Sequence, residues 1–445
     1  MKDVMKIRIV VPALLLTMAS ISYGQAVPAG GNNTPISAIG STPFLPSLDG
    51  VLHYALNGSE IFQYGYYGAG NTTYSTALSG DVGYTAKSVV FPFTMLFAGG
   101  VILGNQQGQG TLSYWNLAAT QGYVTRNWVF NISDSFNFLP QSPTTGLSGI
   151  PGVGDLGSSP LEGPVTGPAG GIFSFAGDRI GNSLAGSAER QISPQMSISG
   201  TGSWSILHFL GDDANALNDS WVSGSVALNR RLDGRSSASI AAVYSTITYS
   251  GNESGPATPD IETKGINVSY QRLLSRRLSV SLTAGPQWIS SANSTYIPSS
   301  LNAYGSASLT YSLGLTSAGV SYSHGVNGGS GVLPGAISDT ISGSLRHTFG
   351  RKWVAALTGG YVRSAGLTEL FNNVSTPVNE VYDSTYGGAQ VTRAFSTHFS
   401  GFASFSVQNQ VSNYSLAGYN ALNGTSETFG IGISYTPRST RLGQF

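Results

Sequence analysis

Between residues 278 and 288 the chain alternates without a break. Leu278, Val280, Leu282, Ala284, Pro286 and Trp288 take the even places, and Ser279, Ser281, Thr283, Gly285 and Gln287 the odd ones. Side chains of a strand alternate faces with period two, so the stretch predicts a strand with one apolar face and one neutral polar face. The pattern returns in 301–313, where Leu301, Ala303, Gly305, Ala307, Leu309, Tyr311 and Leu313 alternate with Asn302, Tyr304, Ser306, Ser308, Thr310 and Ser312. It returns again in 399–407 and in 429–436. Segments 236–250 and 352–363 are ambiguous in phase. Such a dyad is a weak signal in any one segment, and its weight comes from repetition.

Blocks bounded by turns and loops, from 54–67 to 426–438, number eighteen. Each reaches the ~9 to 11 residues that a tilted strand needs to cross a bilayer. The count falls to sixteen if 54–67 or 182–191 is not a strand. Connections alternate between short turns (232–235, 274–276, 314–317, 350–351, 395–397) and longer polar segments such as 209–218, 251–260, 290–300, 326–336, 366–381 and 409–426. Basic residues gather at the short turns: Arg230, Arg231, Arg235, Arg272, Arg276, Arg277, Arg351, Lys352 and Arg393. Acidic ones gather at the long loops: Asp212, Asp213, Asp219, Glu253, Asp260, Glu262, Glu369, Glu380 and Asp383. The segregation gives the strands a common polarity. Trp128 and Trp353 follow short turns, while Trp204, Trp221 and Trp288 lie toward the loop side, as two interfacial aromatic belts require. The fold expected is all-β, a transmembrane antiparallel up-and-down barrel, with short turns in the periplasm and loops outside. An open edge would leave unpaired backbone groups in hydrocarbon, so the first and last strands should pair.

Composition agrees with a surface that does not face water. Charged residues are 9% of the chain, against ~25% in ordinary soluble domains, while 40% hydrophobic and 11% aromatic residues disfavour disorder. Residues 1–26 read as a secretory signal peptide: Lys2, Lys6 and Arg8, an apolar run from Ile9 to Ala19, then small residues at Ser22, Gly24 and Ala26. Residues 27–50 read as an extended periplasmic leader, 51–438 as the barrel and 439–445 as a tail. Cysteine is absent, which rules out disulfides and thiolate metal sites. Removing Lys2, Lys6 and Arg8 with Asp3 from 21 basic and 21 acidic residues leaves 18 and 20, which gives no reason to expect nucleic acid as a partner.

Residues 139–181 break the alternation. The segment is rich in proline and glycine, falls by strand parity at the third external loop, and is a candidate lumen constriction carrying Asp155, Glu162, Asp178 and Arg179. Within the strands the few charges expected at the lumen are Asp81, Asp134, Lys264, Asp339, Arg346, Arg363 and Glu427. Arg346, between Leu345 and His347, has the clearest inward phase. With so few charges the pore lining should be neutral and weakly ion-selective. His53, His208, His324, His347 and His398 have no metal-ligand spacing, and the glycine-rich GVGDLG and GSGVLPG open no helix. No metal, cofactor or catalytic residue is expected.

The chain thus resembles porin-like outer-membrane β-barrels. LPQSPTTGLSGIPGVGDLG, LTAGPQW, GSGVLPGA and FGIGISYTPR resemble stretches that recur in an uncharacterised family of bacterial outer-membrane barrel proteins. That resemblance implies barrel fold and outer-membrane location and supplies no substrate. The expectation is a passive channel for small polar solutes; the alternative is a structural or adhesive barrel with no open pore. Expected partners are outer-membrane lipid and the barrel-assembly and periplasmic chaperone machinery, with a homo-oligomer left open.

Overall fold

A computed structural model describes residues 51–441, except 67–70, 87, 89, 105–110, 140–178, 211–217, 251–259, 292–296, 330–332, 334, 368–379, 414–422 and 438–439. Signal and leader lie outside the described residues. Eighteen long strands follow in order: β1 (Val51–Tyr66), β2 (Asn71–Thr85), β3 (Phe93–Leu103), β4 (Leu112–Val124), β5 (Trp128–Leu139), β6 (Arg179–Ser193), β7 (Met196–Phe209), β8 (Asp219–Arg231) and β9 (Ser236–Tyr249), then β10 (Ile261–Leu273), β11 (Leu278–Ser290), β12 (Ser300–Leu313), β13 (Thr316–Asn327), β14 (Ala336–Phe349), β15 (Trp353–Gly366), β16 (Val381–Ala394), β17 (Phe399–Ser412) and β18 (Gly424–Tyr435). Each pairs antiparallel with its sequence neighbours. β18 closes on β1, from Leu56 opposite Tyr435 to Tyr64 opposite Glu427. The sheet therefore has no free edge, as a span through hydrocarbon demands.

Blocks 54–67 and 182–191 are both wall strands, so the count is eighteen and not sixteen. One short element was not expected: β19 (Thr440–Arg441), inside the segment read as a tail, pairs with Val51 and Leu52 of β1.

Local chemistry explains the short turns. Thr125, Asp233, Ser275 and Ser396 each accept backbone N–H bonds from residues two or three places on, with the side-chain oxygen replacing a ladder partner. Asp233 takes the N–H of Arg235 at 2.6 Å and of Ser236 at 2.7 Å. Those bonds hold its carboxyl below the usual carboxylate range. At Gly314 and Gly350 the turn needs positive φ, 50° and 63°, which glycine adopts without Cβ strain.

Register fixes the faces. In β11, Leu282, Ala284, Pro286 and Trp288 are exposed while Thr283 and Ile289 are buried. Leu282 stands opposite Tyr270 and Ala307, and Val280 opposite Leu309. Followed around the wall, this parity collects the large exposed apolar side chains, among them Leu78, Phe97, Leu117, Phe130, Val226, Ile266, Val320, Leu357, Phe405 and Ile431, on the outer surface. The apolar alternates face outward and the neutral polar alternates inward, an inverted distribution for a protein in water and the required one for a barrel in lipid.

Candidate functional site: the inner wall and its external mouth

Serine and threonine hydroxyls pair across the strands of the inner wall. Direct cross-strand partners Thr201 and Ser225 lie 2.8 Å apart, Ser203 and Ser223 2.6 Å, Ser245 and Thr263 2.7 Å, Ser269 and Thr283 3.0 Å, Ser321 and Ser342 2.7 Å, and Ser338 and Ser364 2.6 Å. A surface of this kind offers hydrogen bonds to water and neutral solutes without a net field.

Large inward side chains lie flat against the wall instead of standing across the lumen. Tyr114 lies over Gly100, Tyr386 over Gly360 and Phe402 over Gly432, each directly across a strand pair. A Cβ at Gly360 would stand 2.5 Å from the Tyr386 hydroxyl, and one at Gly432 would stand 2.6 Å from the Phe402 ring. The glycines make room for rings to lie down.

Charges on the wall strands fall on the two faces differently from the sequence expectation. By register Arg346 and Asp81 do face inward, opposite Ser317 and Ala55. Asp134, Lys264, Asp339, Arg363 and Glu427 face outward, opposite Ala119, Tyr244, His324, Asp383 and Tyr64. Each shares its parity with lipid-side apolar residues on its own strand, and the parity overrides the residue's polarity. Among β1–β18 the acids that register places inward are Asp81, Glu189 and Asp219, and the arginines are Arg179, Arg231 and Arg346. Asp155, Glu162 and Asp178 lie outside the described residues. Arg179 is buried on the inner wall between Leu139 and Phe209.

Of the five tryptophans expected at the interfaces, Trp128, Trp204, Trp288 and Trp353 are outward and exposed. Trp221 is a correction: it is inward and 4% exposed, packed in an apolar cluster. At the periplasmic end two outward pairs repeat one design. Arg190 lies over the Trp128 ring at 5.4 Å and Arg393 over the Trp353 ring at 5.0 Å, each directly cross-strand.

Polar alternation also fails at the external ends of several strands, which the sequence pattern did not reveal. Trp221, Ile247, Tyr249, Ile261 and Ile289 point inward there and cluster with Ile297 from the β11–β12 connection. The β13–β14 connection meets the same wall. The Tyr249 hydroxyl donates to the Gly328 carbonyl at 3.1 Å, a Cβ at Gly335 would stand 2.1 Å from Ile261 Cδ1, and Leu333 packs with Ala336 and Tyr382. β9 and β10 are separated from β13 by β11 and β12. Gly328 and Gly335 therefore sit over the mouth, inside the rim. The bond from Leu367 N–H to the Gly335 carbonyl, 3.1 Å, and that from Gly329 N–H to Asn327 Oδ1, 2.8 Å, fix them there. Just outside β16, burial holds the Glu380 carboxyl above its ordinary range, and the Tyr382 hydroxyl donates to it.

Among the described residues no three metal-ligating side chains converge. His324 binds Asp339 at 2.8 Å on the outer face, where it stands opposite Gly305 and shares its parity with Tyr322, neither of them a serine.

A closed eighteen-strand barrel with an apolar outer belt and a polar inner wall is an outer-membrane β-barrel, and its place is the bacterial outer membrane. No protein-family model matches the chain, and no curated protein matches it in sequence. Among solved structures it is similar to Pseudomonas aeruginosa OccK2 (OpdF), at 10% identity and TM-score 0.42, covering 87% of this chain and 98% of that one. It is also similar to Acinetobacter baumannii OccAB1, at 12% and 0.41 over 88% and 97%, and to the A. baumannii siderophore receptor PirA, at 7% and 0.42 over 88% and 81%. Likenesses at that level leave the reading to the chain's own geometry.

Proposed function

We propose that this barrel is a porin-like channel through which small, mainly uncharged polar solutes diffuse passively across the outer membrane. The observation that carries the reading is the inner wall: cross-strand hydroxyl pairs satisfy one another there, aromatic rings lie flat, and the few inward charges are of both signs. A wall of that kind supplies hydrogen bonds along the path without a ring of one sign to select ions. Liposome swelling with neutral sugars of increasing size tests it. The channel reading expects swelling that falls off with solute size, and it fails if verified folded barrels leave vesicles as tight as protein-free ones.

The mouth supplies the size limit in this reading. Leu333 and Ile297 hold their connections against the wall, so Leu333→Asp should release the β13–β14 connection. The same swelling assay should then show a larger solute cut-off, because a charge in that apolar cluster costs several kcal/mol unless it moves to water. An unchanged cut-off would remove this connection from the channel's limiting aperture.

A further inference from the structure

Ionisable side chains on a lipid-facing surface are costly, and the bilayer offers them few partners. Four stand side by side on the outer face of β13–β16: His324, Asp339, Arg363 and Asp383 are direct cross-strand neighbours in that order. Arg363 lies ten residues above Trp353 of the periplasmic girdle. At ~3.3 Å per residue and a tilt of ~40° that is about 25 Å, the height of the apolar band, so the row sits at the external interface.

The aspartates in this row are already held. Asp339 takes the Tyr322 hydroxyl at 2.7 Å and His324 Nδ1 at 2.8 Å, and Asp383 takes the Tyr361 hydroxyl. Arg363 is exposed, and among the described residues it closes no ion pair, while His324 pairs with Asp339. Its guanidinium thus stands between two fixed acids without closing a pair with either.

A second feature lies lower on the same strands. Gly343, Gly359 and Gly387 form a row of direct cross-strand neighbours, below Ile341, Tyr361 and Thr385 and above Leu345, Leu357 and Ala389. A Cβ at Gly343 would meet nothing nearer than 3.7 Å, and one at Gly387 nothing nearer than 3.8 Å. At those two positions this barrel's own packing gives no reason to exclude alanine, although glycine weakens a strand relative to it, whereas a Cβ at Gly359 would stand 3.3 Å from the Tyr386 carbonyl oxygen. Small residues let two membrane-embedded surfaces approach closely.

We infer that the outer face of β14–β16 is the contact between two copies of this chain. An acid–base–acid row is complementary to itself. A two-fold axis along the membrane normal, passing beside Arg363, sets that guanidinium opposite an aspartate of the other copy and returns the same pairing reciprocally. The glycine row removes the side chains that would hold the walls apart. Lipid phosphate is the weaker occupant, because two fixed carboxylates flank the single exposed guanidinium.

Mass photometry of the protein in lipid nanodiscs tests the assignment. Because the chain has no cysteine, Thr385→Cys gives a clean disulfide reporter in native membranes. The wild type should be a dimer, and the Thr385→Cys variant should be trapped as a disulfide-linked dimer. Arg363→Asp, which sets three acids in a row, and Gly387→Leu, which fills the flat strip, should each lower the dimer fraction about ten-fold or more, while Arg363→Lys should retain it. Folding of each variant is checked by faster gel mobility before boiling. A folded wild type that is monomeric, with or without co-purified lipid, overturns the inference. So does a dimer indifferent to both disruptive changes. Either result leaves the channel reading untouched, since the swelling assay reads the lumen of each barrel separately.

Discussion

Replacing Leu282 by arginine should destabilise the folded barrel by about 2 to 4 kcal/mol, the cost of a cation at mid-depth on the lipid face of a barrel. Placing the arginine one residue earlier, at Ser281, should cost under about 1 kcal/mol, because that side chain meets the lumen and its water. Leu282 is outward and 46% exposed, opposite Tyr270 and Ala307; Ser281 is inward, opposite Gln271 and Ser308. Urea unfolding in phospholipid vesicles, followed by tryptophan fluorescence, measures both. Equal losses would contradict the assignment of the two faces, and a larger loss for Ser281→Arg would reverse it.

The second large effect lies in the same strand. Pro286 has no N–H to give, and pairing between β10 and β11 lapses there, with no register partner for Ile266 or Asn267. The backbones close in at that gap. A Cβ on Gly285 would stand 2.0 Å from the Ile266 carbonyl oxygen and 2.6 Å from Asn267 Oδ1. A backbone oxygen cannot swing aside as a flexible side chain can. Gly285→Val should therefore cost more than about 3 kcal/mol, beyond ordinary overpacking. Gly343→Ala, whose Cβ would meet nothing nearer than 3.7 Å, should be neutral or slightly stabilising. Unfolding midpoints of the two variants, measured side by side, separate steric exclusion from a general intolerance of side chains at strand glycines.

Strand existence and polarity were legible because they rest on repetition. The alternation in 278–288, the short turns opened by Thr125, Asp233, Ser275 and Ser396, and the basic residues beside those turns each repeat a local rule that needs no tertiary knowledge. The faces of individual charges were misread for a physical reason. Asp339 shares its parity with Ile337, Ile341 and Leu345, and Arg363 shares its parity with Leu357 and Tyr361; the strand's phase, and not the residue's own polarity, decides where it points. Asp134 between Ile132 and Phe136, and Glu427 before Phe429 and Ile431, follow the same rule, so the signal was present in the sequence.

Trp221 is a different case. It stands beside Val222, so both phases are apolar there, and the choice depends on an inner cluster assembled from β8, β9, β10, β11 and the β11–β12 connection. The contacts that bring Gly328 to Tyr249 and Gly335 to Ile261 join strands far apart around the wall, and no periodicity within a strand encodes them. The mouth of the barrel was illegible for that reason, while its wall was not.

Single-channel recording in a planar bilayer tests the central claim most directly. Refolded protein that shows the faster unboiled mobility of a closed barrel should insert and give stepwise currents. Reversal potentials in a salt gradient should show only a small preference between cation and anion, as a wall with few inward charges of both signs requires. Folded barrels that insert without any stepwise current would contradict the account.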